Sequence, residues 1–425
     1  MTANKVFCTV PWFEVHINAN GTYHTCGAQP NPQSVPYAPG FAEKNNVHVM
    51  PIEEWINGEY QSRVRLSKLD GVYEPRCQMC YNEETIGSSS KRIRENLKSQ
   101  IDNSSFELTY QASPDFKYFD FSKQNQGKTD FVKPISYHIS IGNECNYACR
   151  MCGPWYSTQL ALEGLRNGTY SGPVRQNWTE NETAWNNVID YMCATEDLKF
   201  VHIIGGEPLL NPKFENLVNR LLEAGRTDIY LGFTTNGSVV NPELIEKLNV
   251  FRHVDIGISV EATGILNDYI RKGSQTEKVL DNIDLYLKYR KEAHVYVTLR
   301  AVPSALSVHT LDDLYRWCVS RKLDIMTNVL VRPEHLQIKQ LPREIKDRLL
   351  EQYQTWQFSE PAPADSNPRD PNWFKQHLDS EIRTVQNLLQ QEADPEQTKK
   401  LYDTITAWGW FDNPEIAKYF KVSNL

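Results

Sequence analysis

The sequence predicts an α/β protein. Its centre is a series of parallel βα units, preceded by a small cysteine-bearing module and followed by a helical extension. Three observations carry this reading. Short β-branched runs alternate with helical periodicity over residues 134–340. Residues 1–133 lack that alternation but hold four of the nine cysteines. Beyond residue 340 only helical periodicity remains, so the expected domains are 1–133, 134–340 and 341–425.

Six candidate strands come in order: PISYHISI, KFVHIIG, DIYLGFTT, HVDIGISV, HVYVTLRAV and LDIMTNVLV. Each is short, rich in β-branched or aromatic residues and bounded by turn formers, which is the pattern of a strand. The stretches between them, such as KFENLVNRLLEAG, PELIEKLNV, TEKVLDNIDLYLKYRK and TLDDLYRWCVSRK, place apolar residues at helical spacing. Strands separated by helices imply parallel βα units. Three further helices are expected in PREIKDRLLEQYQTW, HLDSEIRTVQNLLQQ and EQTKKLYDTITAW, interrupted by the proline-rich FSEPAPADSNPRDPNWF. In the first region aromatics and turn formers dominate, and SKQNQGKTDF reads as a polar linker into the barrel.

Composition narrows the function classes. A formal net charge of -8 disfavours nucleic acid as a partner, because there is no basic stripe to neutralise phosphates. The opening MTANKVFCTV has no basic stretch followed by an apolar run, and no apolar run reaches the roughly 18 residues a membrane span needs. A cytoplasmic protein without membrane contact is expected. Nine cysteines is an odd number, and seven fall in patterned groups, which in a reducing compartment points to metal binding rather than disulfides.

GNECNYACRMCGPW sets Cys145, Cys149 and Cys152 on the loop that leaves the first barrel strand. In parallel barrels that rim is where sites are built. Three thiolates on an iron-sulfur cubane leave one iron with an open position, by the logic that separates open catalytic zinc sites from closed structural ones. A zinc ion completed by a distant ligand is the alternative. So is a set of core thiols on one helical face, which Pro154 beside them argues against. The next strand ends supply Gly205-Gly206-Glu207-Pro208, Thr234-Thr235-Asn236-Gly237 and Ser259-Val260-Glu261. These are small polar groups and a carboxylate suited to sugar hydroxyls or an amino-acid moiety.

C-x3-C-x2-C after the first strand and GGEP after the second resemble the radical S-adenosylmethionine (SAM) superfamily. That resemblance spans the six strands and implies a partial (β/α)6 barrel, with a [4Fe-4S] cluster on Cys145, Cys149 and Cys152 and SAM completing the open iron. It also assigns Gly205, Gly206 and Glu207 to the SAM amine, Ser259 and Asn236 to its ribose or carboxylate, and Arg271 to the carboxylate. One departure is Met151, where the family has an aromatic residue before the third cysteine. An apolar thioether there can still pack against adenine.

Cys8, Gly21 and Cys26 follow C-x12-G-x4-C, with Pro11-Trp12 just after the first cysteine, and Cys77-Gln78-Met79-Cys80 adds a C-x2-C pair. Four such cysteines suit zinc or iron-sulfur. The pattern resembles the opening of SPASM and twitch modules, here placed ahead of the barrel. The resemblance implies one auxiliary iron-sulfur cluster, [4Fe-4S], on Cys8, Cys26, Cys77 and Cys80.

Such enzymes reductively cleave SAM to a 5'-deoxyadenosyl radical that abstracts hydrogen from a substrate. With an auxiliary cluster to accept an electron, the reaction implied is an oxidative peptide or protein modification, fed by a flavodoxin- or ferredoxin-type donor. A radical SAM dehydrogenase acting on a small alcohol or sugar is the first alternative. A non-catalytic iron-sulfur or zinc binding protein is the second. Cys193 and Cys318 sit on helical patterns and read as packing, as do the aromatic run FKYFDF and the histidines His24, His138 and His202.

Overall fold

The computed structural model describes residues 5–28, 38–85, 89–130, 134–292, 294–321, 323–354 and 371–421, the side chains of 371–378 excepted. Most of the proline-rich stretch 358–374 lies outside the described residues. The strands are β1 (Glu14–Ile17), β2 (Tyr23–His24), β3 (Ser136–Ser140), β4 (Phe200–Ile204), β5 (Tyr230–Thr235), β6 (His253–Ser259), β7 (Val295–Ala301) and β8 (Asp324–Thr327). They follow the order β2-β1-β3-β4-β5-β6-β7-β8 in one eight-stranded sheet. β1 and β2 are antiparallel, whereas β1–β3, β3–β4, β6–β7 and β7–β8 are parallel. All six strands expected from the alternation are present, as β3 to β8. Contacts divide the chain into two units: residues 1–144, 173–232 and 250–252, and residues 145–172, 233–249 and 253–425.

In the first unit, β4 and most of β3 alternate between a buried and a half-buried face, whereas β1 is buried along its whole length. Tyr137, Ile139, Val201 and Ile203 are fully buried, while His138, Phe200 and His202 on the other face are half-buried. The helices Glu182–Cys193 and Pro212–Glu223 begin at Asn181 and Asn211, whose side-chain oxygens accept backbone N–H groups of the first turn. Pro212 at the first helical position needs no N–H partner, so Asn-Pro is a strong start signal.

Residues before 133 join this unit through β1, whose Glu14–Ile17 pairs in register with Ser136–Ile139. Their own core is aromatic. Phe7, Trp12, Ile101, Phe106 and Phe119 pack together, and the Trp12 indole donates to Ser122 Oγ at 2.8 Å. The FKYFDF run is therefore core at Phe119. The polar stretch from Ser122 to Asp130 is tied down rather than loose. Arg65 donates to the Gly127 carbonyl, and Asn57 exchanges two hydrogen bonds with Thr129.

The second unit repeats the alternation. Val254, Ile256 and Ile258 in β6 and Val295, Val297 and Leu299 in β7 are buried. The helices Thr276–Tyr289 and Leu311–Ser320 supply Val279, Ile283, Leu311 and Leu314 as buried side chains, with Cys318 a core residue. The C-terminal helices Arg343–Gln354, Pro371–Gln390 and Pro395–Ala407 match the expected helical extension. Among the described residues, no helix is long and apolar enough to cross a membrane.

Candidate functional site

The loop holding the first three cysteines is irregular from residue 141 to Ser157, which caps the helix Thr158–Arg166. The helical-face reading of Cys145, Cys149 and Cys152 therefore has no helix to rest on. Backbone bonds fix this loop. Ala148 N–H donates to the Lys272 carbonyl and Arg150 N–H to the Ile270 carbonyl, both at 2.8 Å, and Ser157 Oγ donates to the Tyr147 carbonyl at 2.6 Å. Cys145 Sγ accepts from Tyr147 N–H at 3.5 Å. Desolvation, then the adjacent Cys149 and Cys145 thiols, push the Cys152 thiol up to about 12.

Strand ends of the same unit frame the loop. Asn236, one residue past β5, donates to Asn146 Oδ1 at 2.8 Å and lies 3.9 Å from Cys145 Sγ, so its amide braces the cysteine loop. Ser259 ends β6, half-buried, in register with Arg300. Glu261 is fully buried; Oε1 accepts from Arg271 Nη1 at 3.0 Å and Oε2 from Val302 N–H at 2.7 Å. Burial raises the Glu261 pKa and Arg271 opposes the rise. Burial alone would lower the Arg271 pKa, but Cys149 and Glu261 beside it outweigh that and raise it. Arg271 Nε is buried without a partner in this structure. A fixed cation with an orphaned donor, next to Cys149, fits a centre of thiolates and an anionic ligand. Sequence reading found Arg271 but missed Glu261 as its holder.

In the first unit, Gly205 and Gly206 have φ of +99° and +43°. A Cβ on Gly205 would stand 2.1 Å from Ser140 Oγ, and one on Gly206 2.0 Å from the Glu144 carbonyl oxygen. Glu207 N–H donates to that same carbonyl at 2.7 Å. GGEP thus lies against residues 140–144, which lead directly into Cys145. The Glu207 carboxylate is 1% exposed, with Oε1 accepting from Leu209 N–H.

Cys8, Cys26, Cys77 and Cys80 line one pocket. Cys77 closes the turn Pro75–Cys77 and Cys80 lies one turn on in the helix Gln78–Thr85, so the pair shares a side. Lys68, Arg76, Lys91 and Arg92 line the same pocket. Burial pushes the Cys80 thiol up to about 11 and raises Cys8, Cys26 and Cys77 as well; Lys68 opposes the rise at Cys8 and Cys77, and Lys91 at Cys26. Four thiols ringed by cations suit an anionic thiolate cluster. Among the described residues no three His, Cys, Asp or Glu side chains are grouped as for a single metal ion. In a cubane each thiolate meets a different iron.

Beside this pocket lies a feature the sequence did not disclose. His24, His16, His138 and His202 stand in register across β2, β1, β3 and β4, with neighbouring ring centroids 5.7, 6.5 and 5.6 Å apart. Lys91 Nζ bonds Glu14 Oε1 at 3.0 Å and approaches His138 Nε2 at 3.2 Å. Burial alone would raise the Glu14 pKa, but His138 and Lys91 hold it far below the usual carboxylate range.

Residues 139–318 match the Radical SAM superfamily. Among curated proteins, the chain is 25% identical over 172 residues to an S-adenosylmethionine-dependent nucleotide dehydratase of Selenomonas ruminantium, covering 40% of this chain and 53% of that protein. It is 29% identical over 141 residues to the mycofactocin maturase MftC of Mycobacterium tuberculosis, covering 32% and 30%. The chain thus spans about half or less of these relatives. Among solved structures, Streptococcus suis SuiB is 17% identical, with a TM-score of 0.38, covering 69% of this chain and 61% of that one.

Proposed function

We propose, from the premise that residues 139–318 form a radical SAM domain, that this chain is an enzyme that cleaves SAM reductively and oxidises a peptide or protein substrate. The observation that carries the reading is the three-thiol loop. Its cysteines sit on irregular chain held by Asn236, beside a cation that Glu261 fixes in place. Three ligands leave one iron of a [4Fe-4S] cluster open for SAM. A [4Fe-4S] cluster bound there would supply the one-electron reduction by which such enzymes cleave SAM to a hydrogen-abstracting 5'-deoxyadenosyl radical.

The chain's own residues bind and orient. Cys145, Cys149 and Cys152 hold the cluster as thiolates. Gly205 and Gly206 let backbone approach the SAM amine, and Glu207 supplies the carboxylate that receives it. Arg271 offers its positive charge to the SAM carboxylate, and Ser259 and Asn236 offer hydroxyl and amide to carboxylate or ribose. Positioning is the protein's main lever in this chemistry.

Cys8, Cys26, Cys77 and Cys80 hold an auxiliary [4Fe-4S] cluster, and Lys68, Arg76, Lys91 and Arg92 offset its thiolate charge. A cluster held there would supply an acceptor for the electron a substrate radical must lose on oxidation. The peptide reading rests on the resemblance of this module to twitch and SPASM domains, and on the maturase among the relatives. The nucleotide dehydratase among them supports a second reading, in which the substrate is a small molecule. A flavodoxin- or ferredoxin-type protein is the proposed electron donor. Iron, sulfide and zinc counting after anaerobic reconstitution, with electron paramagnetic resonance (EPR) of the reduced protein, tests the assignment. Two clusters' worth of iron supports it; zinc at the N-terminal cysteines would remove the oxidation argument.

A further inference from the structure

Between Cys149 and Cys152 stands Arg150, a residue none of the cofactor assignments uses. Its guanidinium carbon lies over two aromatic rings, 5.0 Å from the centroid of Tyr269 and 4.8 Å from that of Trp408. Trp408 belongs to the C-terminal extension, as the C-cap of the helix Pro395–Ala407. Tyr269 precedes the Ile270 carbonyl that receives Arg150 N–H, and its hydroxyl reaches the Trp408 carbonyl at 3.4 Å. The same ring packs edge-on against Trp410 at 4.8 Å, and Trp410 against Phe420 at 4.9 Å. Both tryptophans therefore belong to one aromatic set that reaches the cysteine loop. Arg150 Nε is buried without a hydrogen-bond partner in this structure, and the two rings are the contacts its head group makes at these distances.

We propose that the C-terminal segment 395–420 is part of the SAM-cluster site. Trp408 and Tyr269 clamp Arg150 and so hold Cys149 and Cys152, which flank it, in the spacing the cluster needs. The inference rests on the assignment of Cys145, Cys149 and Cys152 as cluster ligands. Arg150 acts as a positioning residue. A planar guanidinium can lie against aromatic faces, which a lysine ammonium does not reproduce. The backbone bonds at Ala148 and Arg150 set the height of the loop, and the clamp sets the direction in which the middle of the loop faces.

The test uses the reconstituted full-length protein and its variants Trp408→Ala, Trp408→Phe, Arg150→Ala and Arg150→Lys. Two readouts are followed: the change in the reduced cluster's EPR spectrum on adding SAM, and the rate at which that SAM-responsive signal is lost to an iron chelator. Unfolding midpoints check that each variant folds. Loss of one or both cation–ring contacts leads us to expect loss about tenfold faster in Trp408→Ala, Arg150→Ala and Arg150→Lys. Trp408→Phe restores the wild-type rate. A SAM-responsive cluster in the wild type that is lost at the same rate in all variants overturns the clamp alone. A wild type with no SAM-responsive cluster overturns the clamp together with the cluster assignment it rests on.

Discussion

Replacing Gly206 by alanine tests the geometry at the second strand end. Gly206 has φ +43°, and the added methyl would stand 2.0 Å from the Glu144 carbonyl oxygen, 2.5 Å from its carbon and 2.8 Å from the Asn143 carbon. All three are backbone atoms, so no flexible side chain can swing away. Left-handed backbone in a non-glycine residue costs about 1–2 kcal/mol, and displacing packed neighbours costs about 1–3 kcal/mol more. Moving the Glu144 carbonyl also strains its bond from Glu207 N–H, worth about 1 kcal/mol. The sum, about 3–6 kcal/mol, is a large share of a typical domain's stability. Gly225→Ala is the matched control. Its φ is +68° with nothing within 4 Å of the new Cβ, so only the backbone cost of about 1–2 kcal/mol applies. Urea unfolding of both variants, with SAM binding by calorimetry, should show Gly206→Ala several times more destabilised than Gly225→Ala and unable to bind SAM. Equal destabilisation of the two variants would refute the close-approach argument.

Arg271→Ala leaves the fully buried Glu261 carboxylate without its cation, and urea unfolding should record a loss of about 3–5 kcal/mol. Glu261→Gln, which keeps an acceptor for Arg271 but leaves that buried cation without its counter-charge, should lose stability as well. Stability should also fall on mild acidification. Burial lowers the pKa of His16 to about 4 and of His309 to about 3, so both are neutral in the fold and protonate on unfolding below the ordinary 6.5. Unfolding free energy should therefore decline from about pH 6.5 towards pH 4, by up to about 1.4 kcal/mol per pH unit for each histidine, and His309→Phe should flatten the slope. Replacing Cys77 and Cys80 by serine should remove one cluster's worth of iron while SAM cleavage to 5'-deoxyadenosine persists; loss of that cleavage would contradict separate roles for the two cysteine sets.

The barrel strands were legible because each is a period-2 run with turn formers at its ends, and the helix starts at Asn211-Pro212 and Asn241-Pro242 carry their signal in two residues. β1 and β2 were not. Four residues and two residues hold no periodicity, and these strands exist through pairing with β3 and with each other. Polar composition suggested a loose linker after Phe121, but Arg65 and Asn57 hold that stretch from helices far back in the chain. In the site, the cysteines and GGEP were readable because metal and cofactor chemistry fix both residue type and spacing. The partner of Arg271, the brace from Asn236 to Asn146 and the aromatic faces around Arg150 are tertiary contacts, which no local pattern announces.

The most direct test of the account is the amount of 5'-deoxyadenosine formed from SAM under dithionite by the anaerobically reconstituted protein. The wild type is compared with a variant carrying Cys145→Ala, Cys149→Ala and Cys152→Ala. The account predicts 5'-deoxyadenosine from the wild type and none from the variant, which retains the iron of the N-terminal cysteines. A wild type that carries a full complement of reduced cluster and leaves SAM intact would contradict it.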